Sequence, residues 1–254
     1  MGQSDFLGKK IFFLYPQSVI QDEMLDILIM SGFESYASCD PQRSRSLLAH
    51  FPGSIMFINI DEGMPEEKWE AYIREIQEDP KTQGSRLGIL SYNTNPVLME
   101  KYLMGLSLPC GYIQLKLGLQ ASTKIILSAL EANEARGCRK YIRAFCEDDQ
   151  ASTMNFKTPE GALYYGKILD ISSAGIAVRF DKPMDLPVNA KIPGIQLRLR
   201  SSLIMTDGTV AGKRSDESGV WIILLNPSMK THDKLTIHHY IKSRLQISMD
   251  RLKI

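Results

Sequence analysis

The chain has 254 residues, of which 44% are hydrophobic and 23% are charged. This composition excludes a mostly disordered chain, and the length predicts two domains. Residues 1–137 carry 12 Lys+Arg and 17 Asp+Glu, a net charge of −5, whereas residues 138–254 carry 18 and 12, a net charge of +6. The acidic N-terminal half and the basic C-terminal half predict two units with different functions. The basic half is suited to an anionic partner.

Cysteine spacing and hydropathy exclude several further classes. The cysteines at 39, 110, 138 and 146 form no Cys-x-x-Cys pair, which argues against a zinc site and against a disulfide framework. No apolar run approaches the ~18 residues that would span a bilayer. We therefore expect a cytoplasmic protein with no metal site and no membrane insertion.

The first half alternates short apolar strands with amphipathic helices. Five such units imply a parallel sheet covered on both faces, with ligands bound at the carboxyl ends of the strands. The predicted strands are Lys10–Tyr15, Phe33–Ser38, Ser54–Ile60, Leu87–Tyr92 and Tyr112–Leu117. The predicted helices are Val19–Met30, Pro41–Phe51, Pro65–Glu78, Pro96–Leu106 and Ala121–Arg136.

Three polar residues lie at the ends of consecutive predicted strands. Asp61 follows the third strand, Ser91 ends the fourth and Lys116 lies on the fifth. With this pattern the stretch from about residue 8 to 135 resembles the response-regulator receiver domain. In that family the three positions are the phosphoacceptor, the switch hydroxyl and the phosphate-contacting lysine.

The sequence departs from the receiver pattern at two places. Receivers carry an acidic pair after the first strand that holds Mg²⁺, and here this stretch is Tyr15-Pro16-Gln17. Receivers also follow the lysine with proline, and here Leu117 follows. A single carboxylate binds Mg²⁺ poorly, because this ion prefers several oxygen ligands. Phosphoryl transfer in receivers depends on bound Mg²⁺. We therefore expect a degenerate receiver-like domain that does not turn over phosphate.

The second half changes to turn-rich segments with period-2 alternation. About six antiparallel strands in about 90 residues predict a small closed barrel. The predicted strands are Tyr141–Phe145, Leu163–Ile171, Ile176–Phe180, Ile192–Arg200, Leu203–Gly212 and Val220–Leu225. The stretch 147–160 is interpreted as an extended hairpin, and Thr231–Leu252 as a C-terminal helix. The predicted domains are residues 1–136, α/β with a five-stranded parallel sheet, and residues 137–254, a six-stranded antiparallel barrel with that helix.

Two motifs flank the opening of the predicted barrel. Arg139 and Arg143 form an R-x-x-x-R, in which residues four apart share one face of a strand or helix. Asp170, Ser172 and Gly175 form a D-x-S-x-x-G, with Asp170 and Ser172 pointing outward and Leu169 and Ile171 inward. Arginine binds phosphate or the guanine O6/N7 edge, and a carboxylate accepts from guanine N1–H and N2–H₂. Gly175 allows a positive φ or a close approach of backbone to ligand. Together the motifs predict a guanine-nucleotide site.

The order and spacing of these motifs resemble those of the PilZ domain, a bacterial receptor for cyclic di-GMP, over about residues 136–228. The resemblance implies a six-stranded barrel whose surface binds one ligand molecule or an intercalated pair. It places the binding residues at Arg139, Arg143, Asp170, Ser172 and Gly175. No cofactor other than this ligand is implied.

The position of the arginines in the predicted joint between the domains suggests a mechanism. A dianionic ligand would hold this basic segment against the barrel and change the relative orientation of the domains. By resemblance the output is a downstream protein in motility, exopolysaccharide or virulence control, and the sequence does not choose among these. No nucleophile–base pair, metal cluster or phosphate-binding glycine loop indicates an enzyme.

Two alternative functions are kept. One is a phosphorylation-responsive regulator with Asp61 as the acceptor. The other is a nucleic-acid-binding protein that uses the basic half, with Arg179, Arg198 and Arg200 as phosphate contacts. The absence of a recognition-helix pattern and of an aromatic-rich RNA-binding signature argues against the second alternative.

Overall fold

The computed structural model describes residues 8–18, 20–158, 160–214 and 219–254. These residues fall into two compact units. The first unit runs up to Lys140 and includes Met249–Ile254, and the second is Tyr141–Ser248. The division into domains 1–136 and 137–254 stays a prediction, because it concerns which parts fold independently.

The first unit contains the predicted five-stranded parallel sheet. Its strand order is β2-β1-β3-β4-β5, and every neighbouring pair is parallel. The strands are β1 (Ile11–Leu14), β2 (Ser35–Ser38), β3 (Ile55–Asn59), β4 (Arg86–Ser91) and β5 (Tyr112–Gln114). The central strands β1 and β3 are buried along their whole length, as expected for parallel strands covered on both faces.

Helices follow the strands as the periodicity predicts. They are α1 (Leu25–Met30), α2 (Pro41–His50), α3 (Glu66–Glu78), α4 (Pro96–Glu100) and α5 (Leu119–Ala132). A π-helical turn, Ile20–Met24, precedes α1, and another, Lys101–Gly105, continues α4. Val19, the first residue of the first predicted helix, lies outside the described residues.

Local chemistry explains how the helix α2 begins. The Asp40 carboxylate accepts hydrogen bonds from the backbone N–H groups of Gln42 and Arg43, at 2.9 and 3.0 Å. Pro41 occupies the first turn, where its missing N–H costs nothing. These contacts satisfy donors that would otherwise lack partners at the helix start.

The fifth predicted strand is shorter than expected. It ends at Gln114, and Leu115–Leu117 form a 3₁₀ turn that leads into Gly118, whose φ is +83°. A non-glycine residue would be strained at this φ, so the chain turns here into α5. The sequence analysis predicted Lys116 on the fifth strand, but Lys116 lies in the turn that follows β5.

The second unit contains a closed antiparallel barrel of six strands, in the order β8-β7-β10-β11-β12-β9 and back to β8. The six are β7 (Ser152–Lys157), β8 (Leu163–Ser172), β9 (Gly175–Phe180), β10 (Lys191–Leu199), β11 (Ser202–Lys213) and β12 (Val220–Leu225). A short additional strand, β6 (Arg143–Phe145), pairs with the end of β8. The predicted number of barrel strands is therefore confirmed.

One of the six predicted barrel strands was wrongly assigned. The predicted strand Tyr141–Phe145 is β6, which lies beside the ring and is not part of it. Its place in the ring is taken by β7, from within the stretch interpreted as an extended hairpin. That interpretation was partly correct, since β7 pairs antiparallel with β8. The buried side chains of Ser152, Met154 and Phe156 alternate in β7 as they do in a half-buried strand.

The C-terminal helix α6 (Thr231–Asp250) is present as predicted. Within the second unit it buries Ile237, Tyr240 and Ile241. Leu235, near the start of the helix, is 43% exposed. No helix of the described residues combines the length and the apolar composition that crossing a bilayer requires.

The four cysteines are free thiols in two environments. Cys39 and Cys138 are exposed, whereas Cys110 and Cys146 are buried. Burial raises the pKa of Cys110 to about 12 and that of Cys146 to about 11. The two buried thiols therefore remain protonated at neutral pH.

Candidate functional site

The strand pair β6–β8 brings three of the five predicted binding residues together. Arg143 lies directly opposite Ser172, and Phe145 lies directly opposite Asp170. Residues opposite one another in an antiparallel pair project to the same face of the sheet. Ala144 and its partner Ile171 are fully buried on the opposite face of the strand pair. Arg143, Asp170 and Ser172 therefore share the face that points away from these buried residues.

The helix α6 fixes the position of β6. Arg244 is 3% exposed, and its Nε and Nη2 atoms donate to the carbonyl oxygen of Phe145, at 3.3 and 3.2 Å. Arg244 also forms an ion pair with Asp148. A buried guanidinium with several partners holds its acceptors in a defined geometry. The strand that carries Arg143 is thus anchored within its own unit.

Arg139 is placed differently from Arg143. It is exposed in an irregular segment and belongs to the first unit, whereas Arg143 is the first residue of β6 in the second. The expectation that both arginines share one face of a strand or helix is therefore wrong. The convergence of Arg139 with the other four residues stays a prediction.

Asp170 is buried and forms an ion pair with Arg214, a residue that the sequence analysis did not identify. The side chains of Asp170 and Arg214 are 7% and 21% exposed. The carboxylate lies on the face opposite Ile171, as predicted, but it is buried and already forms an ion pair. Since a carboxylate has about four lone-pair sites, the arginine does not exclude a further donor from a ligand. Sequence spacing gave no signal for Arg214, because it lies 44 residues away.

A β-bulge breaks the alternation that the sequence analysis assumed along β8. The register with β9 shifts between Ile168 and Asp170. Leu169, predicted in the barrel interior, packs instead with Ala177 and Val220 in a small separate cluster. A bulge inserts one residue into a strand, so the residues before and after it no longer alternate as a regular strand would. Ile171 is fully buried, as expected for an inward-facing residue.

Ser172 and Gly175 shape the turn between β8 and β9. The Ser172 hydroxyl donates to the Gly175 carbonyl at 3.2 Å and accepts from the Ala174 N–H at 3.3 Å. A Cβ at Gly175 would lie 2.7 Å from the carbonyl oxygen of Ile223 on β12. Gly175 is therefore required by the close approach of a neighbouring strand. Gly175 does not have the positive φ that was one of our two expectations, and the close approach of its backbone to a ligand stays a prediction.

Replacing Gly175 by alanine is expected to destabilise the fold by ~1–3 kcal/mol, because the backbone of β12 would have to move. Urea denaturation measures the change in the free energy of unfolding. Gly84→Ala is the matched control, since no atom lies within 4 Å of a Cβ at Gly84. Equal stability of both variants would contradict this assignment.

A cavity of about 740 Å³ opens beside this turn, within the second unit. Its lining includes Tyr141 from the first motif and Ser173 and Ala174 from the second. Two cations, Lys191 and Lys234, and one acid, Asp207, also line it, and none of the five predicted binding residues does. The volume lies within the ~300–1,000 Å³ range that is usual for small-molecule sites. The sequence analysis missed both lysines, because β10 and α6 lie far from the motifs along the chain.

The receiver-like residues also adopt a defined geometry in the first unit. The Asp61 carboxylate accepts from the Ser91 hydroxyl at 2.5 Å and from the Tyr92 N–H at 2.6 Å. Lys116 is exposed in its turn, and over the described ranges no ion pair joins it to Asp61. The predicted acceptor and hydroxyl therefore meet, and the lysine is not joined to them. No group of three or more His, Cys, Asp or Glu residues among those described could hold a metal.

Acetyl phosphate with Mg²⁺ is expected to leave Asp61 unmodified. Both carboxylate oxygens already accept hydrogen bonds, and residues 15–17 supply no acid to help hold the metal. Intact-mass spectrometry measures the adduct, with Asp61→Asn as the control. A stable phosphoryl adduct that is absent from the Asn variant would contradict the expectation.

The residues of the nucleic-acid alternative lie in two settings. Arg179 and Arg198 are exposed on barrel strands. Arg200 lies in the turn between β10 and β11, where its Nε atom is 3.0 Å from the Asp149 carboxylate. An arginine that neutralises a neighbouring carboxylate is a weaker contact for phosphate. Arg200 is therefore poorly suited to that role.

Three solved structures illustrate the similarities found. The PilZ domain of YcgR from Escherichia coli, with c-di-GMP, is 14% identical, and the match covers 45% of this chain and 99% of that one, with a TM-score of 0.37. Apo MrkH of K. pneumonia is 19% identical over 47% of this chain and 54% of its own, with a TM-score of 0.39. The inhibitor of motility MotI/DgrA from Bacillus subtilis is 16% identical over 45% and 53%, with a TM-score of 0.35.

The matches to MrkH and MotI thus span about half of those proteins. No family model matches the sequence, and no curated protein matches it.

Proposed function

We propose that this protein is a receptor for cyclic di-GMP, which binds through Arg139, Arg143, Asp170, Ser172 and Gly175. The observation that carries the proposal is the β6–β8 register, which sets Arg143 opposite Ser172 on the face that also carries Asp170. A guanidinium, a hydroxyl and a carboxylate on one strand pair match the phosphate and the guanine edge of such a ligand.

Each of these groups has a separate task in the proposal. The Arg143 guanidinium binds a phosphate or the guanine O6/N7 edge, and the Asp170 carboxylate accepts from guanine N1–H and N2–H₂. The hydrogen bonds of Ser172 and the close packing of Gly175 hold the β8–β9 turn, whose residues Ser173 and Ala174 line the neighbouring cavity. Lys191 and Lys234 add positive charge to the cavity wall for the phosphates.

Amide hydrogen exchange of the intact chain tests this binding site. Saturating cyclic di-GMP is expected to slow exchange in residues 141–145 and 170–175, because bound ligand suppresses local opening. Exchange in α3, far along the chain, serves as the internal reference. Unchanged exchange in both stretches at saturating ligand would contradict the site.

Ligand binding also provides a route for a signal. Arg139 belongs to the first unit and Arg143 to the second, so a ligand that binds both arginines constrains one unit relative to the other. We infer that this constraint changes the orientation of the units and is read by a downstream protein. No catalytic role is assigned to any residue of the site.

Small-angle X-ray scattering of the intact chain measures this change. We expect the scattering profile at saturating cyclic di-GMP to differ from that of the free protein. Arg139→Ala is expected to bind with lower affinity and to show no ligand-dependent change in the profile. Identical profiles for the free and the saturated wild-type protein would reject the orientation change.

A further inference from the structure

The outer wall of the barrel carries a second surface, which contains none of the motif residues. The registers of β8, β7, β10 and β11 align their outward-facing side chains in two rows. We refer to these eight positions as the basic–apolar wall. The first row is Lys167, Thr153, Arg198 and Leu203. The second row is Tyr165, Asn155, Gln196 and Met205.

Three large side chains of the wall are exposed although they could pack in a core. Leu203 is 64% exposed, Met205 is 53% exposed and Tyr165 is 52% exposed. Ile204, which lies between Leu203 and Met205 on β11, points inward and is 1% exposed. The barrel core therefore contains the alternate residues of β11, and Leu203 and Met205 lie outside it. Leu203 and Met205 form an exposed apolar pair on β11, and Tyr165 lies three strand spacings away on β8, at the other end of its row. An exposed apolar pair of this kind is a candidate contact for a partner.

The charges of the wall have one sign. Lys167 and Arg198 lie in the same row, two strand spacings apart, which is ~10 Å. The eight positions include no acidic residue. Thr153 lies between the two cations, so they are not directly opposed across a strand pair. An anionic group bound across the row would be attracted by both.

The composition of the wall favours a polypeptide as its occupant. Tyrosine, methionine and arginine are the residues enriched at the centres of protein interfaces. A nucleic-acid strand would need several aromatic platforms for its bases, and the wall provides Tyr165 alone. Leu203 and Met205 are aliphatic and fit apolar side chains instead. The row of positive charge selects acidic neighbours for these side chains.

The size of the wall limits the occupant to a short segment. Four strands at ~4.8 Å spacing and two rows of side chains cover far less than the ~800 Å² per partner of a standard interface. The width matches about five extended residues at ~3.3 Å each. We propose that the basic–apolar wall binds a short acidic polypeptide segment that carries apolar side chains.

Fluorescence anisotropy of the intact protein tests this proposal with labelled polymers as probes. A random copolymer of glutamate and tyrosine is expected to bind with about tenfold higher affinity than polyglutamate, because only the copolymer supplies apolar side chains. Oligo-dT and phosphatidylserine vesicles are the probes for the two other anionic classes. No binding of the copolymer, or tighter binding of oligo-dT or of vesicles at equal ionic strength, would overturn the proposal.

Two variants and two matched controls locate the binding. Met205→Glu and Arg198→Glu are each expected to weaken copolymer binding about tenfold. Val188→Glu places the same charge at a residue that is 58% exposed outside the wall, and Lys124→Glu reverses an exposed lysine of the first unit. Both controls are expected to bind within about twofold of the wild type. If Met205→Glu unfolds at lower temperature, Met205→Gln is measured in its place.

The test of the basic–apolar wall is independent of the test of cyclic di-GMP binding. The wall contains none of the five motif residues, so all these variants are expected to bind cyclic di-GMP like the wild type. Wall variants that bind the copolymer as tightly as the wild type would overturn the wall proposal alone. Loss of cyclic di-GMP binding in the wall variants would count against the separation of the two surfaces, and thus against the wall as a second site.

Discussion

Arg143→Ala is expected to weaken cyclic di-GMP binding by more than tenfold, as measured by calorimetry. A hydrogen bond to an ionised group contributes ~1.5–3 kcal/mol, which corresponds to about tenfold or more in Kd, and a bidentate contact provides two such bonds. Arg143 is exposed at the start of β6, so its removal leaves the barrel core untouched. The loss should therefore appear in affinity and not in stability.

The matched control for this prediction is Arg74→Ala. Arg74 is an arginine of α3 that pairs with Glu70 one turn away, and it takes no part in the site. The control should bind cyclic di-GMP with wild-type affinity. Thermal unfolding of both variants shows whether either has lost structure. Unchanged affinity in Arg143→Ala would remove the guanidinium from the site.

Asp170→Ala is expected to lower both affinity and stability. The carboxylate is the group proposed to accept from guanine N1–H and N2–H₂, so its loss should cost about tenfold or more in Kd. It also removes the ion pair between Asp170 and Arg214, whose side chains are 7% and 21% exposed. The loss of a charge-assisted hydrogen bond that is largely shielded from water costs ~1–3 kcal/mol, so the midpoint of urea denaturation should fall.

Two further variants separate these effects. Asp170→Asn keeps the size of the side chain and replaces an acceptor by a donor, so it should bind the guanine edge poorly even where it folds well. Asp185→Ala removes an exposed acid of the same unit and should change neither quantity. Wild-type affinity for cyclic di-GMP in Asp170→Asn would show that the Asp170 carboxylate does not accept hydrogen bonds from guanine.

The fold was largely predictable because burial leaves a periodic trace in the sequence. The apolar runs of β1 and β3 and the helical stripe of α3 identify their elements without any tertiary information. The strand β7 was hidden, because its polar residues Ser152, Thr153 and Asn155 resemble those of a loop. Its pairing with β8 and β10 overrides that weak local preference.

The site was less predictable than the fold, because its geometry depends on contacts between distant segments. The strand β6 is too short to be distinguished from the barrel strands by its pattern, and α6 holds it through Arg244. The bulge at Leu169 and the ion pair between Asp170 and Arg214 are consequences of how β8, β9 and the end of β11 meet. Residue spacing within one motif carries no information about either.

A calorimetric titration of the intact chain with four nucleotides tests the central claim most directly. The account predicts saturable binding of cyclic di-GMP, and affinities at least about tenfold lower for cyclic di-AMP, GTP and GMP. Adenine lacks the N1–H and N2–H₂ donors that Asp170 accepts from, and the single nucleotides lack the second half of the ligand. Equal affinities for cyclic di-GMP and cyclic di-AMP, or no heat with cyclic di-GMP, would contradict the account.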